Sequence, residues 1–253
     1  MKNYLNLLKI FKKNTHSGYT LIELIIASVL TVMVISAAGM GVVLMTQKNM
    51  IASADGDIKY NLGRAVDFMT EEIKTASVIR DSISSIDAGT FNSAGKTVVL
   101  AIRVPGVVED IIYYTQAPGN PYLGNLAIYR WGPSLSADGI YTNENDPSAW
   151  GYNGLLVDLI ADAPLTTGCA NGASGWTQIP SSSPKGFYVC VNNTTGTSGN
   201  RKIVEIHASA SAQNNRVSNP LNWGSGSGGG YAAAGKPTYE VITQAYARAN
   251  TSP

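Results

Sequence analysis

Several places in the sequence carry residue types that could do chemistry. Ala94-Gly95-Lys96-Thr97 has the closing residues of a phosphate-binding loop, in which backbone N–H groups and a lysine cradle phosphate oxygens. That loop needs a glycine five places before Gly95, where Thr90 stands, and must lead into a helix, whereas Thr97 opens an alternating strand pattern. The segment therefore reads as a turn. His207 could serve as a general base, but no serine, cysteine or acid at a recognisable spacing completes a triad with it, so it reads as a packed strand residue. Asn143, Glu144, Asn145 and Asp146 offer oxygen ligands without the glycine and spacing of a calcium loop, and read as a solvated turn. Tyr129, Trp131, Tyr141, Trp150 and Tyr152 could form a contact surface for a partner or a sugar, with core packing the favoured reading. Cys169 and Cys190 are the only cysteines, and His207 is the only histidine after His16. Cysteine and histidine alone then fall short of a four-ligand zinc set. The expectation is a protein that is not an enzyme and holds no cofactor or metal.

Glu23 stands out for its surroundings. It lies two residues into an apolar run that continues to Met45 with no other charge, although a charge in a membrane-length helix costs about 2.5 to 3.5 kcal/mol even on lenient insertion scales. Residues 1–18 carry Lys2, Lys9, Lys12 and Lys13 and no acid. The run from Leu24 to Met45 meets the roughly 20 apolar residues a span requires, and the lysine excess predicts that the N-terminal side stays in the cytoplasm while everything after Met45 is exported. A secretory signal, with Leu24 to Ile35 as core and Ser36-Ala37-Ala38 as cleavage site, is one reading. A plain single-pass anchor is another. Neither accounts for Glu23 or for the Gly18-Tyr19 step before it. In an exported chain Cys169 and Cys190 are expected to form a disulfide, closing a loop of Gly, Ser, Asn and Pro-rich sequence and contributing about 3 kcal/mol.

Ser17-Gly18-Tyr19-Thr20-Leu21-Ile22-Glu23-Leu24 resembles the class III leader of type IV pilins and type II secretion pseudopilins: glycine, an aromatic, Thr-Leu-Ile-Glu, then an apolar helix. The resemblance implies cleavage between Gly18 and Tyr19 by a membrane-embedded prepilin peptidase, followed by N-methylation of Tyr19. Most members have phenylalanine where this chain has Tyr19, which keeps the ring. It further implies that Glu23 pairs with the terminal amine of an adjacent subunit during assembly. An α-amino group has a reference pKa near 7.7 to 8.0, and a buried charge is tolerated only when paired. Arg64 to Asp81, "RAVDFMTEEIKTASVIRD", is similar to the larger minor subunits, the J-type pseudopilin and its pilus counterpart, which prime assembly near the tip. The tip-most K-type subunit commonly lacks the glutamate. The partners implied are other pilins or pseudopilins, the peptidase and an inner-membrane assembly platform. The place implied is the bacterial inner membrane and then a pilus or pseudopilus, periplasmic to extracellular, with motility, adhesion, DNA uptake or secretion as roles. An anchored surface- or polysaccharide-binding module is the alternative.

These residues need elements to position them. Cleavage would remove residues 1–18 and leave 235 of the 253, with 14 basic against 17 acidic side chains, a net of about −3. That balance gives no general attraction to nucleic acid. Residues 19–80 read as a helix, membrane-spanning over about 21–45. Beyond the span, Ile58, Leu62, Val66, Met69, Ile73 and Ala76 recur at helical spacing, while Lys59, Arg64, Asp67, Glu71 and Lys74 fall on the other side. The spacing predicts one helix from about Leu21 to Val78, roughly 85 Å at 1.5 Å per residue. Two helices broken near Gly39-Met40-Gly41 or Asp55-Gly56-Asp57 are the alternative, since glycine costs about 1 kcal/mol in a helix interior. Many major pilins carry a proline in this region; this chain has Met40.

Residues 81–253 read as a β-rich exported head. Val98, Leu100, Ile102 and Val104 alternate with Val99, Ala101 and Arg103 as a half-buried strand. Asp110 to Thr115 and Leu126 to Trp131 follow as strands, separated by Pro, Gly and Asn-rich turns. Residues 132–153 read as loop and Leu155 to Ile160 as a short segment of undecided type. Gly186 to Val191, Lys202 to Ala208 and Tyr239 to Arg248 read as further strands, with a flexible link at Gly224 to Gly230. The expected fold class is α+β: a long N-terminal helix packed on an antiparallel sheet, pilin-like.

Overall fold

Helix α1 occupies Leu21–Thr75 and runs without interruption through Gly39, Gly41 and Gly56. The two-helix alternative is thereby removed. The computed structural model describes residues 18–151, 154–162, 168–169, 175–182, 184–192, 203–211 and 238–248. The chain divides into two compact units, Met1–Ile51 and Ala52–Pro253.

In the first unit the helix is apolar and open on every side: Leu24 is 66% exposed, Val34 68% and Val42 66%. It is the one helix among the described residues long and apolar enough to cross a membrane. In the second unit the stripe foreseen from the spacing is the buried one, with Leu62, Met69, Ile73 and Ala76 at 0%. The helix stops three residues earlier than its spacing suggested. Ser77 N–H donates to the Arg103 carbonyl at 2.8 Å, and Val78–Ile79 pairs as strand β1 with Arg103 and Ile102. Sheet pairing captures the backbone that would have formed the last turn.

The head holds two antiparallel sheets. Strands β2 (Thr97–Arg103), β3 (Ile111–Gln116), β4 (Ala127–Trp131) and β7 (Gly154–Val157) form the first with β1, in the order β1-β2-β3-β4-β7. The second has the order β11-β10-β9-β8, from β8 (Trp176–Ile179), β9 (Phe187–Asn192), β10 (Ile203–Ser211) and β11 (Thr238–Tyr246). A hairpin of β5 (Ser134–Leu135) and β6 (Tyr141–Thr142) and a 3-10 turn at Pro147–Ala149 lie within the segment read as loop. These elements are too short for periodicity to reveal.

The α+β expectation holds, with a correction to the strand pattern. Strand β2 is buried on both faces, from Val98 to Ile102, rather than half-buried, because both faces of the first sheet are covered. One face receives α1; the other carries Tyr114, Tyr129 and Trp131. Phe91 and Trp150 pack against these rings, with centroids 5.4 Å for Phe91 to Tyr114 and 4.7 Å for Trp131 to Trp150. The favoured core reading of these aromatics therefore holds for Tyr129, Trp131 and Trp150, while Tyr152 lies outside the described residues. Both sheets and the helix stripe share one apolar core. Strand β8 was not foreseen: its residues sit in polar sequence between the two cysteines, and only pairing of Gln178 with Cys190 and Ile179 with Val189 makes them a strand. Gly154 is fixed by contact, since a Cβ there would stand 2.4 Å from the Arg130 carbonyl oxygen.

Candidate functional site

The start of α1 carries the residues that the leader resemblance singles out. Gly18, Tyr19 and Thr20 precede the helix and are exposed, and Ser17 lies outside the described residues. Thr20 and Glu23 cap the helix reciprocally. The Glu23 N–H donates to Thr20 Oγ1 at 3.3 Å, and Glu23 Oε2 accepts from the Thr20 N–H at 3.1 Å and from its hydroxyl at 3.2 Å. This is the Thr-x-x-Glu capping box, which satisfies N–H groups that a helix start leaves without partners. The acid also sits at the positive end of the helix dipole. Sequence reasoning missed this local role, although the three-residue spacing of Thr20 and Glu23 was its signal. Only Oε2 is used in the box; Glu23 Oε1 has no hydrogen bond among the described residues.

A second glutamate on the same helix is in the opposite situation. Glu72 is 4% exposed and meets Arg130 of β4 in a two-point pair, Nη2 to Oε1 at 2.6 Å and Nε to Oε2 at 2.9 Å. The Tyr113 hydroxyl donates to Oε2 and the Tyr141 hydroxyl to Oε1, the latter at 2.9 Å. Arg130 Nη1 donates to the Pro133 carbonyl at 2.9 Å. Burial first, and the Glu72 carboxylate second, push the Tyr113 and Tyr141 hydroxyls up from the ordinary phenol range. For Arg130 burial opposes the charge, but the hydrogen bonds and attraction of Glu72 outweigh it, holding the guanidinium more firmly protonated than usual. The sequence signal was present: Glu72 is three residues after Met69 and four before Ala76, on the apolar arc of the helix.

A third polar centre closes the first sheet. Asp110, fully buried, accepts from Arg80 Nε at 2.8 Å, from Arg103 Nε at 2.8 Å and from the Asp87 backbone N–H at 2.8 Å. Arg103 also pairs with Asp87. The group anchors the segment after the helix across the ends of β2 and β3.

Cys169 and Cys190 are disulfide-bonded, as expected. His207 is not alone, in contrast to the sequence reading. Its Nε2 lies 2.5 Å from Glu205 Oε1, two residues away on the same face of β10, and its ring stacks on Tyr188 with centroids 4.3 Å apart. Alternation along a strand puts positions i and i+2 on one face, so Glu205 could have been found. Gln244 Nε2 donates to Glu205 Oε2 at 3.1 Å. The pair is buried; Ser209 follows His207 by two residues on the same strand face and is itself fully buried, and Cys190 is bonded, so no free thiol stands among the described residues.

No family model, curated protein or solved structure matches the chain. The remaining sequence candidates resolve as turns. Gly95 has φ +70° and precedes β2, and Lys96 Nζ donates to the Asn92 carbonyl at 2.7 Å. Asn143 also has positive φ, its carbonyl accepts from Trp150 Nε1 at 2.7 Å, and Asp146 caps the turn at Ser148. The link at 224–230 lies outside the described residues.

Proposed function

We propose that the chain is a minor pilin or pseudopilin, a structural subunit that inserts with its head exported, is cut between Gly18 and Tyr19 and enters a type IV filament. The observation that carries this reading is the arrangement at the helix start. The Gly18-Tyr19 pair lies outside α1, exposed as a processing peptidase requires, and the Glu23 carboxylate keeps Oε1 for a further partner while Oε2 serves the cap. The partner is the amine that cleavage creates on Tyr19 of a neighbouring subunit. The open apolar surface from Leu21 to Met45 would lie in lipid before assembly and against other helices in the filament. The inner-membrane platform and prepilin peptidase are the further partners.

Mass spectrometry of the membrane-extracted protein tests the processing: the expected terminus is N-methylated Tyr19, and a chain beginning at Gly39 would establish a secretory signal in its place. The assembly role is tested by the ratio of Glu23→Ala protein in sheared filaments to that in the inner membrane. A cleaved, inserted variant recovered in filaments at the wild-type ratio sinks it.

The capping box favours a second reading, a membrane-anchored binding module in which Glu23 serves only its own helix. Glu23→Gln separates the two, because glutamine can hold the capping-box position but brings no charge to a neighbour's amine. A pilin loses filament entry in this variant; an anchor behaves as wild type.

A further inference from the structure

The second sheet has an apolar face that joins the core and another face with polar residues. On the latter, strand pairing sets Cys190 directly opposite Glu205, and Glu205 opposite Gln244 on the next strand. His207 follows two residues along. The sulfur of Cys190, a carboxylate oxygen of Glu205 and a ring nitrogen of His207 all lie within 4.8 Å of one another, and all three residues are buried. Cys169 joins them through the disulfide. From the structure we infer a zinc site, masked in the oxidised chain, that forms on reduction from the Cys169 and Cys190 thiolates, Glu205 and His207.

The exclusion of zinc from sequence counted only histidine and cysteine as donors. The fold supplies the missing ligand in Glu205, and two sulfurs, one nitrogen and one oxygen are the donor types tetrahedral zinc takes. Bond lengths of about 2.0 to 2.3 Å place such ligands roughly 3.3 to 3.8 Å apart. The three donors need to close or open by about 1 Å around an ion.

His207 gives an independent reason. Its Nδ1 is buried and without a hydrogen-bond partner among the described residues, in a residue that is 2% exposed. With Nε2 on zinc, Nδ1 carries the proton and faces the Glu240 carboxylate, 4.0 Å away. Metal-bound histidines are commonly oriented by such a carboxylate on their other nitrogen. Gln244 holds Glu205 in the same way, through its donation to Oε2.

The redox step balances with a dithiol reductant. One reductant thiolate attacks the sulfur of Cys169, the less buried of the two cysteines, and releases the Cys190 thiolate. The second reductant thiol then displaces Cys169 and closes the reductant's own disulfide, so two electrons pass to the protein. Zinc replaces the two thiol protons. In reverse, a disulfide oxidant reoxidises the pair and expels the ion. Either cross-link ties residue 169 to β9, so the exported chain has a metal-held form available before its disulfide is made.

The test uses the full chain in detergent, reduced with a dithiol that is then removed without air. Zinc is titrated against a chromophoric chelator, and Co²⁺ is used as a spectroscopic substitute. One equivalent of zinc is expected per reduced chain and none per oxidised chain, with a tetrahedral Co²⁺ spectrum that includes thiolate charge transfer. Glu205→Gln and His207→Ala should each weaken binding by more than about 100-fold, and Gln244→Ala by about tenfold, within the range for outer-shell partners. Near-ultraviolet circular dichroism follows the fold of each reduced form, with zinc expected to restore any signal lost on reduction. A reduced chain that binds no zinc overturns the proposal. So does equal affinity in Glu205→Gln and His207→Ala, folded or not, because binding would then belong to the thiols alone.

Discussion

Two glutamates on one helix meet opposite physical demands. Glu23 stands in the first turn of α1, exposed, with Thr20 as the only hydrogen-bond partner of its carboxylate among the described residues. Glu72 is surrounded by Arg130, Tyr113 and Tyr141 from two strands of the first sheet and the hairpin. Each is an acid on an apolar stretch, yet only the first attracts notice in the sequence, because no other charge lies near it. Glu72 hides among Glu71, Lys74 and other charges. What separates them is where the partners come from. A local partner three residues away is legible in sequence; partners 41, 58 and 69 residues away exist only after the sheet has formed.

The contrast can be broken most forcefully at Glu72. Glu72→Ala leaves a buried guanidinium unpaired, and loss of one member of a buried pair costs about 3 to 5 kcal/mol. Chemical denaturation of the purified chain should show that loss. Replacing both partners, as Glu72→Leu with Arg130→Met, should recover part of it, since the buried charge is removed while the Tyr113 and Tyr141 hydroxyls still lose their acceptor. If the single change is as mild as the double, Glu72 is not held as described.

Cys190→Ser is expected to rank next. It removes a cross-link over 21 residues of sequence and should lower stability by about 3 kcal/mol in the same assay. Glu23→Ala should leave this head transition unmoved.

The tyrosines sharpen the comparison through pH. Burial, followed by the Glu72 carboxylate, raises Tyr113 and Tyr141 above the ordinary phenol value, so the folded chain keeps protons that the unfolded chain releases above about pH 10. The contribution is complete below that pH and is lost as pH rises toward the folded values. The denaturation midpoint should therefore fall above about pH 10. Tyr141→Phe should flatten part of the fall and lower neutral-pH stability by about 1.5 to 3 kcal/mol, the range for hydrogen bonds to charged groups. An unchanged alkaline slope in Tyr141→Phe would place the titration elsewhere.

Glu23 gives the smallest stability effect. Glu23→Gln preserves the capping geometry and should change head stability by less than about 0.5 kcal/mol. Its proposed consequence is confined to the filament-to-membrane ratio, so a change in head stability as large as that of Glu72→Ala would dissolve the distinction.

The sequence by itself determined the helical character of the N-terminal segment, though not its continuity through Gly39, Gly41 and Gly56, and with it the apolar first half, the buried stripe of the second half and the disulfide. Each rests on spacing along one segment or on the presence of just two cysteines. Most strands of the head were also legible, because apolar and β-branched runs between Gly, Pro and Asn turns favour pairing wherever the partner lies. Tertiary structure alone decided that β2 is covered on both faces, that polar residues before β9 become an edge strand, and that the helix yields its last turn to β1. It also decided the polar centres: Arg130 reaching Glu72, Arg80 and Arg103 converging on Asp110, and Cys190 meeting Glu205 and His207 across β9 and β10. Periodicity records which side of an element avoids water. It does not record which distant charge will satisfy a buried one, because that partner is set by strand order and register.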